Sequence, residues 1–199
     1  MGVIISIIVI VIVLSLVVWV IGGYNGLVRA RNSFQNAFAQ IDVQLQRRFD
    51  LIPNLVETAK AYMAHERGTL EAVTQARAAA ISGLSAAHDQ PGDPAAMQQL
   101  AQSQGALTSA LLRFNAVAEA YPDLKASQNM MQLTEELTST ENKVAFSRQA
   151  YNDSVLSYNN RRQSFPGSML AGTFHFGPAA QWEIAPDHPE TRDAPKVQF

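Results

Sequence analysis

Hydrophobicity along this chain is first continuous and then periodic. From Val3 to Ile21 the sequence VIISIIVIVIVLSLVVWVI carries no charge, and Ser6 and Ser15 are its only hydroxyl residues. At the helical rise these residues span about 28 Å, close to the hydrocarbon thickness of a bilayer. Beyond them, Tyr24, Leu27, Arg31, Phe34, Phe38, Ile41 and Leu45 recur by threes and fours, with Arg31 the one polar member. That is the stripe of an amphipathic helix close to a seven-residue repeat. No proline separates it from the apolar run, so the helix is expected to continue out of the membrane, with Gly22, Gly23 and Gly26 offering a bend.

Pro53 interrupts this pattern and leaves two readings. Asp50 can cap a new helix with Pro53 in its first turn, or the helix runs through with a kink. The next stripe, Leu55, Val56, Ala59, Tyr62, Met63, Leu70, Val73, Ala76 and Ala80, fades near His88. Residues 88–94 (HDQPGDP) form a loop by composition, and Asp93 followed by Pro94 starts a third helix that runs to about Ala120. Its apolar positions include Leu100, Leu107, Leu111, Phe114, Val117 and Ala118. Tyr121-Pro122-Asp123 breaks it. A last helix is expected from about Leu124 to Ser164, on the stripe Leu133, Leu137, Thr140, Val144, Ser147, Tyr151, Val155 and Tyr158. Serine and threonine in that stripe predict a close, partly polar seam.

Phe165-Pro166-Gly167 ends the helix. Five prolines and three glycines among residues 166–199 predict an extended tail. Phe174, Phe176, Trp182, Ile184, Val197 and Phe199 make that tail too apolar for a free linker, so parts of it should dock on the bundle or on another subunit.

The apolar run reads as a retained anchor. No Lys or Arg precedes it, it is longer than a signal-peptide core, and Ile21-Gly22-Gly23 is a weak cleavage site. Trp19 and Tyr24 suit the membrane interface. Arg29 and Arg31 follow the span, with Arg47 and Arg48 farther on, so the positive-inside rule predicts a cytoplasmic C-terminal domain and an outside N-terminus. The formal net charge of −2 argues against a nucleic-acid partner. The absence of cysteine excludes disulfides, thiolate nucleophiles and cysteine metal sites.

The segment YNGLVRARNSFQNAFAQIDVQLQRRFDLIPNLVETAKAYMAHERGTLEAVTQARAAA resembles the signature of the LemA family. YPDLKASQNMMQLTEELTSTENKVAFSRQAYNDSVLSYNNRRQSFPGSMLAG is similar to that family's second block. The likeness covers Tyr24 to about Gly172 and includes irregular details such as the proline in RRFDLIPNLVE. It implies an all-α fold in which an N-terminal transmembrane helix continues into an antiparallel bundle of long helices, followed by the extended tail. The expected divisions are an anchor at 1–23, a bundle at 24–165 and a tail at 166–199. The resemblance implies no catalytic residues, and it places the protein in the bacterial cell membrane, the inner one if there are two, as a single-pass protein.

The candidate chemistry is sparse. His65-Glu66 lacks the second histidine of a metalloprotease H-E-x-x-H helix, and His88, His175 and His188 fall in loop or tail. Arg47, Arg48 and Asp50 crowd the Pro53 region, with Glu57 beyond, and could bind a partner or an anionic lipid; capping and solvated ion pairs explain them at least as well. Glu135, Glu136 and Glu141 form an acidic stretch that antiparallel packing could set beside Arg31 or Arg47 and Arg48, fixing helix register. Tyr151, Asn152, Tyr158, Asn159, Arg161 and Arg162 mix aromatics and bases, as single-strand binders do, but the tyrosines fall on the core stripe. Phe174-His175-Phe176 could hook onto membrane or partner, and Phe174, Phe176 and Trp182 are the docking candidates of the tail. No phosphate loop, dinucleotide fingerprint or nucleophile elbow occurs. The expected function is therefore a non-enzymatic, membrane-anchored scaffold or adaptor without a cofactor or small-molecule substrate. Its partners are the bilayer and either further copies of itself, organising or shaping membrane, or another membrane protein.

Overall fold

The computed structural model describes residues 1–183. Ile184, His188, Val197 and Phe199 therefore lie outside the described residues. Six helices follow one another: α1 (Gly2–Lys60), α2 (Arg67–Asp89), α3 (Pro94–Ala118), α4 (Pro122–Ala126), α5 (Gln128–Gln163) and α6 (Gly167–Thr173). No strand occurs among the described residues.

The span and the first amphipathic stripe are one element. α1 runs unbroken for 59 residues, about 88 Å at the helical rise. Its first part is apolar enough to cross a membrane, and no residue of that window is buried. Gly22, Gly23 and Gly26 do not break the helix. Gly23 serves close approach instead, because a Cβ there would overlap the Leu170 side chain of α6.

Of the two readings at Pro53, the continuous helix is the one observed. An interior proline removes one amide donor and leaves the carbonyl four residues earlier without its helical partner. That carbonyl belongs to Phe49, and Arg77 of α2 supplies the missing donor, its Nε donating to Phe49 O at 2.6 Å. The proline is thus tolerated because a second helix completes the first.

The actual end of α1 carries no proline or glycine. After Lys60 the chain turns through residues 61–66, with the Met63 amide donating to Ala59 O at 2.8 Å. The stripe expected to run on from Leu55 to Ala80 is split here. Periodicity concealed the break because Met63 is itself fully buried within the turn.

α2 then runs back beside α1, with His88 Nδ1 3.1 Å from Asp42 Oδ2. The loop after it turns at Gly92, whose φ of +88° is the left-handed region that glycine enters at little cost. Asp93 caps α3 as the sequence predicts, accepting from the Ala96 amide at 2.9 Å. α3 runs outward again, and α5 returns antiparallel to α1 over its whole length. The separate helix α4 and the extended Ser127 precede α5, so the last long helix starts at Gln128 and not at Leu124.

The core between α1 and α5 is aromatic. Phe34 lies 5.1 Å from Tyr158 and 6.4 Å from Tyr151 between ring centroids, and Phe38 lies 5.7 Å from Tyr151. Full burial of each such ring is worth about 1.5–3 kcal/mol, and edge-on contacts add to it. Thr140 occupies the same seam, its hydroxyl donating to Glu136 O at 2.8 Å, so the expected polar seam is satisfied within α5.

The lengths of the helices create a vacancy. α2 and α3 hold 23 and 25 residues and α5 holds 36, and the α2–α3 loop stops at the level of Phe34. Between Tyr24 and Phe34 only α5 flanks α1 among the long helices. The chain after α5 fills this space. Its first part is helix α6, where an extended course is expected from 166 onward; the extended course begins only at Phe176, after a turn at Phe174-His175.

The pairing of Arg77 with Pro53 is testable by a double-mutant cycle. Arg77→Met leaves the Phe49 carbonyl short of a donor and should cost about 1–2 kcal/mol. In a Pro53→Ala background the restored amide takes that role, and the same change should cost about 1 kcal/mol less. Equal costs in both backgrounds, measured by chemical unfolding in detergent, would refute the compensation.

Candidate functional site

Successive helix residues are rotated by about 100°, and this separates the predicted charge cluster. Arg47 and Asp50 are exposed, Asp50 beside a groove between α1 and α2 that Arg77 and His88 also line. Arg48 turns inward and is 5% exposed. Its guanidinium reaches Thr108 Oγ1 at 3.2 Å and Gln104 Oε1 at 3.5 Å on α3, and Glu141 Oε1 on α5 at 3.6 Å. Burial pulls the Arg48 guanidinium below its ordinary range, and Glu141 opposes that. One side chain thus joins three helices at a single level, with Glu141 as its contact on α5. Glu135 and Glu136 do not share it: both are exposed, and Glu135 lines an open groove of about 710 Å³ between α3 and α5 at the distal end. Glu57 pairs with Lys60 one turn along its own helix. Glu66, from the incomplete metal motif, accepts from the Tyr121 hydroxyl at 3.2 Å. Among the described residues no group of three or more His, Asp or Glu side chains could hold a metal ion.

The tail residues do come together. Phe176 and Trp182 are buried on the bundle, and Phe174 packs edge-on against Tyr24 at 5.0 Å. Arg31 lies 5.2 Å above the Phe176 ring and Arg148 lies 5.9 Å from the Trp182 ring, in cation–π geometry. Arg31, the odd member of the α1 stripe, therefore faces an aromatic ring of the tail.

Backbone recognition holds the strap 177–182 in place. Asn159 Nδ2 donates to Ala179 O at 2.8 Å, and its Oδ1 accepts from the Ala179 amide at 3.1 Å. Asn152 does the same with Trp182, at 3.2 and 2.9 Å. The Tyr158 hydroxyl donates to Gly177 O at 2.6 Å and the Tyr151 hydroxyl to Ala180 O at 2.7 Å. The Ala180 amide donates to Gly92 O at 2.8 Å, tying the strap to the α2–α3 loop. Two Tyr-Asn pairs seven residues apart on a helix are about 10.5 Å apart, and three residues of extended chain cover about 10 Å. That match lets an α-helix read an extended segment as a neighbouring strand would. The tyrosines are core residues, as expected, and they carry this second role on their hydroxyls. The repeated Tyr-Asn pair was the visible signal; its partner is 19–30 residues away and could not be read from local pattern.

The clamp can be tested by mutation and by alkali. Asn152→Ala or Asn159→Ala removes two bonds and should loosen the strap by about 1–2 kcal/mol. In a Trp19→Phe background Trp182 emission should then shift to the red, and unchanged emission would count against the clamp. Burial pushes the Tyr151 and Tyr158 phenols above their ordinary 10.0, with Arg31 and Arg162 opposing at Tyr158. A raised phenol stabilises fully below pH 10 and loses that contribution as pH climbs toward its folded value, because the unfolded chain deprotonates first. Stability should thus fall more steeply above pH 10 in the wild type than in Tyr151→Phe.

The family model that matches is the LemA family, over residues 37–199. Relatives include Protein LemA of Metamycoplasma hominis, 28% identical over 73% of this chain and 62% of its own length. Magnetosome protein MamQ of Magnetospirillum gryphiswaldense is 25% identical over 80% of this chain and 65% of its own length. Magnetosome protein MamQ 2 of Paramagnetospirillum magneticum is 24% identical over 82% of this chain and 65% of its own length. The chain thus spans under two thirds of the length of these relatives. With the family model covering most of its residues, including the strap and the bundle from residue 37 onward, this chain belongs to the LemA family.

Proposed function

We propose that this protein is a non-enzymatic scaffold or adaptor of the bacterial cell envelope, working through helix-surface contacts with another membrane protein. The observation that carries this reading is the continuity of α1. Anchor and central bundle helix are one rod, so the bundle surface is presented at a set rotation and height above the bilayer. Tethering confines both partners to one surface and strengthens weak contacts by raising their effective concentration. Of the charged residues that the sequence offered as chemistry, Arg48 and Glu141 are engaged with each other across helices and Glu66 in a distal tie, while Arg47, Asp50, Glu135 and Glu136 are exposed. The matched LemA and magnetosome proteins suit a membrane-associated role.

A second reading is a homo-oligomeric scaffold that organises membrane. Phe146 is 75% exposed and Val43 is 59% exposed. Both lie between the levels marked by Phe38 with Tyr151 and Arg48 with Glu141. Apolar side chains left open at one height on neighbouring helices suit lateral association.

Mass measurement after gentle detergent extraction separates the two. The adaptor reading expects one copy of the 21.7 kDa chain with a stoichiometric partner. The oligomer reading expects a multiple of that mass which Phe146→Glu lowers. A lone monomer under all extraction conditions contradicts both.

Placement of the bundle in the cytoplasm, on the inner membrane if two are present, rests on Arg29 and Arg31 following the span. The chain has no cysteine, so Pro178→Cys introduces a unique thiol on the exposed strap. A membrane-impermeant thiol reagent should label it only after permeabilisation. Labelling in intact cells would reverse the orientation.

A further inference from the structure

The end of α5 and helix α6 wrap the last turns of the span. The Phe165 ring lies 6.4 Å from Trp19, Leu170 covers Gly23, and Phe174 lies 5.0 Å from Tyr24. These α1 residues extend from inside the apolar run to just past its end at Ile21, the level at which interfacial rings settle. The contact faces therefore put residues 165–174 at the height of the bilayer surface.

The large side chains that this segment turns away from the bundle are apolar, with serine and threonine the only polar ones between them. Phe165 is 78% exposed, Met169 63% and Phe174 46%, beside a Trp19 that is itself part-exposed. Leu170 and Ala171 on the other face are buried against the bundle. From Ser164 to Thr173 there is no charged side chain. In water, such a patch next to a membrane span would be a liability; at the headgroup–acyl boundary it is satisfied.

The charges directly above the patch have one sign. Arg29 and Arg31 on α1 and Arg161 and Arg162 on α5 occupy this end of the bundle. Arg161 Nη1 donates to Gly26 O at 3.1 Å, which fixes its height, and Arg162 Nε is buried without a hydrogen-bond partner. No Asp or Glu occurs between Trp19 and Ile41 or between Ser154 and Trp182. Basic side chains just outside an apolar segment, on stretches of α1, α5 and α6 that carry no acidic residue, fit the phosphates of anionic lipids.

We propose that residues 165–174 form a second, non-spanning membrane contact. Phe165 and Met169 enter the headgroup–acyl boundary beside Trp19. Arg29 and Arg162 engage anionic phospholipid headgroups above them. One span alone lets a rod tilt about its point of exit; a second contact to one side of the span limits that tilt. The contact depends on the anchored reading above and not on the scaffold role.

Site-directed spin labelling of the full chain in nanodiscs tests this, since each introduced cysteine is the only one. Labels at Phe165→Cys and Met169→Cys should show an oxygen-to-nickel-chelate accessibility ratio on the order of fivefold above that of Arg113→Cys, an exposed position near the distal end of α3. A label at Ile10→Cys reports whether the span itself is inserted, so failure of the anchor and failure of the collar are distinguishable. Raising phosphatidylglycerol to about one third of a phosphatidylcholine disc should deepen position 169, and Arg29→Gln with Arg162→Gln should abolish that response. Trp182 emission checks that each labelled variant keeps its strap. Water-like accessibility at 165 and 169 in discs where position 10 is lipid-like overturns the contact. Lipid-like accessibility that ignores phosphatidylglycerol overturns the headgroup recognition.

Discussion

The antiparallel pairing of α1 with α5 is the constraint from which the other features follow. Phe34 and Phe38 mesh with Tyr151 and Tyr158 in the part of the bundle nearest the membrane. That packing sets the register of α5, and register sets everything α5 carries. It delivers Arg161 to the Gly26 carbonyl, Phe165 to Trp19 and Glu141 to Arg48. It also turns two phenol hydroxyls outward from the aromatic seam to meet the strap. A slip of α5 by one turn would move all of these by about 5.4 Å.

Three sets of polar groups inside this bundle are matched by partners from other segments. The Phe49 carbonyl, orphaned by Pro53, is served by Arg77 from α2. Arg48 spans α1, α3 and α5. The strap backbone is served by Asn152 and Asn159 in place of a neighbouring strand. In each case an unpaired buried group would cost more than the bond itself contributes, so each match penalises a wrong pairing of helices. A bundle built on a membrane span gains from this, because its anchor cannot re-register to suit a misfolded soluble part.

Elements with local causes were legible in advance. The span needed only length and composition, the α1 and α5 stripes only periodicity, and the α3 start only Asp93-Pro94. Met63 shows where such reasoning fails: its burial kept the stripe regular through a turn. Pro53 shows the reverse, since a residue that reads as a breaker is accommodated by a side chain 24 positions later. Arg47, Arg48 and Asp50 looked like a cluster because they are close in sequence, but the helix turns Arg48 inward and leaves Arg47 and Asp50 on its exposed side.

The sequence alone determined that there is one apolar helix of membrane length, that long amphipathic helices follow it, and that the aromatic residues of the tail up to Trp182 pack on the bundle. These follow from composition and period, which are local quantities. The tertiary structure decided that α1 is unbroken through Pro53, that α2 and α3 stop short of the membrane, and that α6 and the strap fill the space they leave. Those outcomes depend on helix lengths compared across the fold and on hydrogen-bond partners far apart in the chain. The anchor is therefore fixed by its own residues, and what it holds rigid is fixed by the residues packed around its continuation.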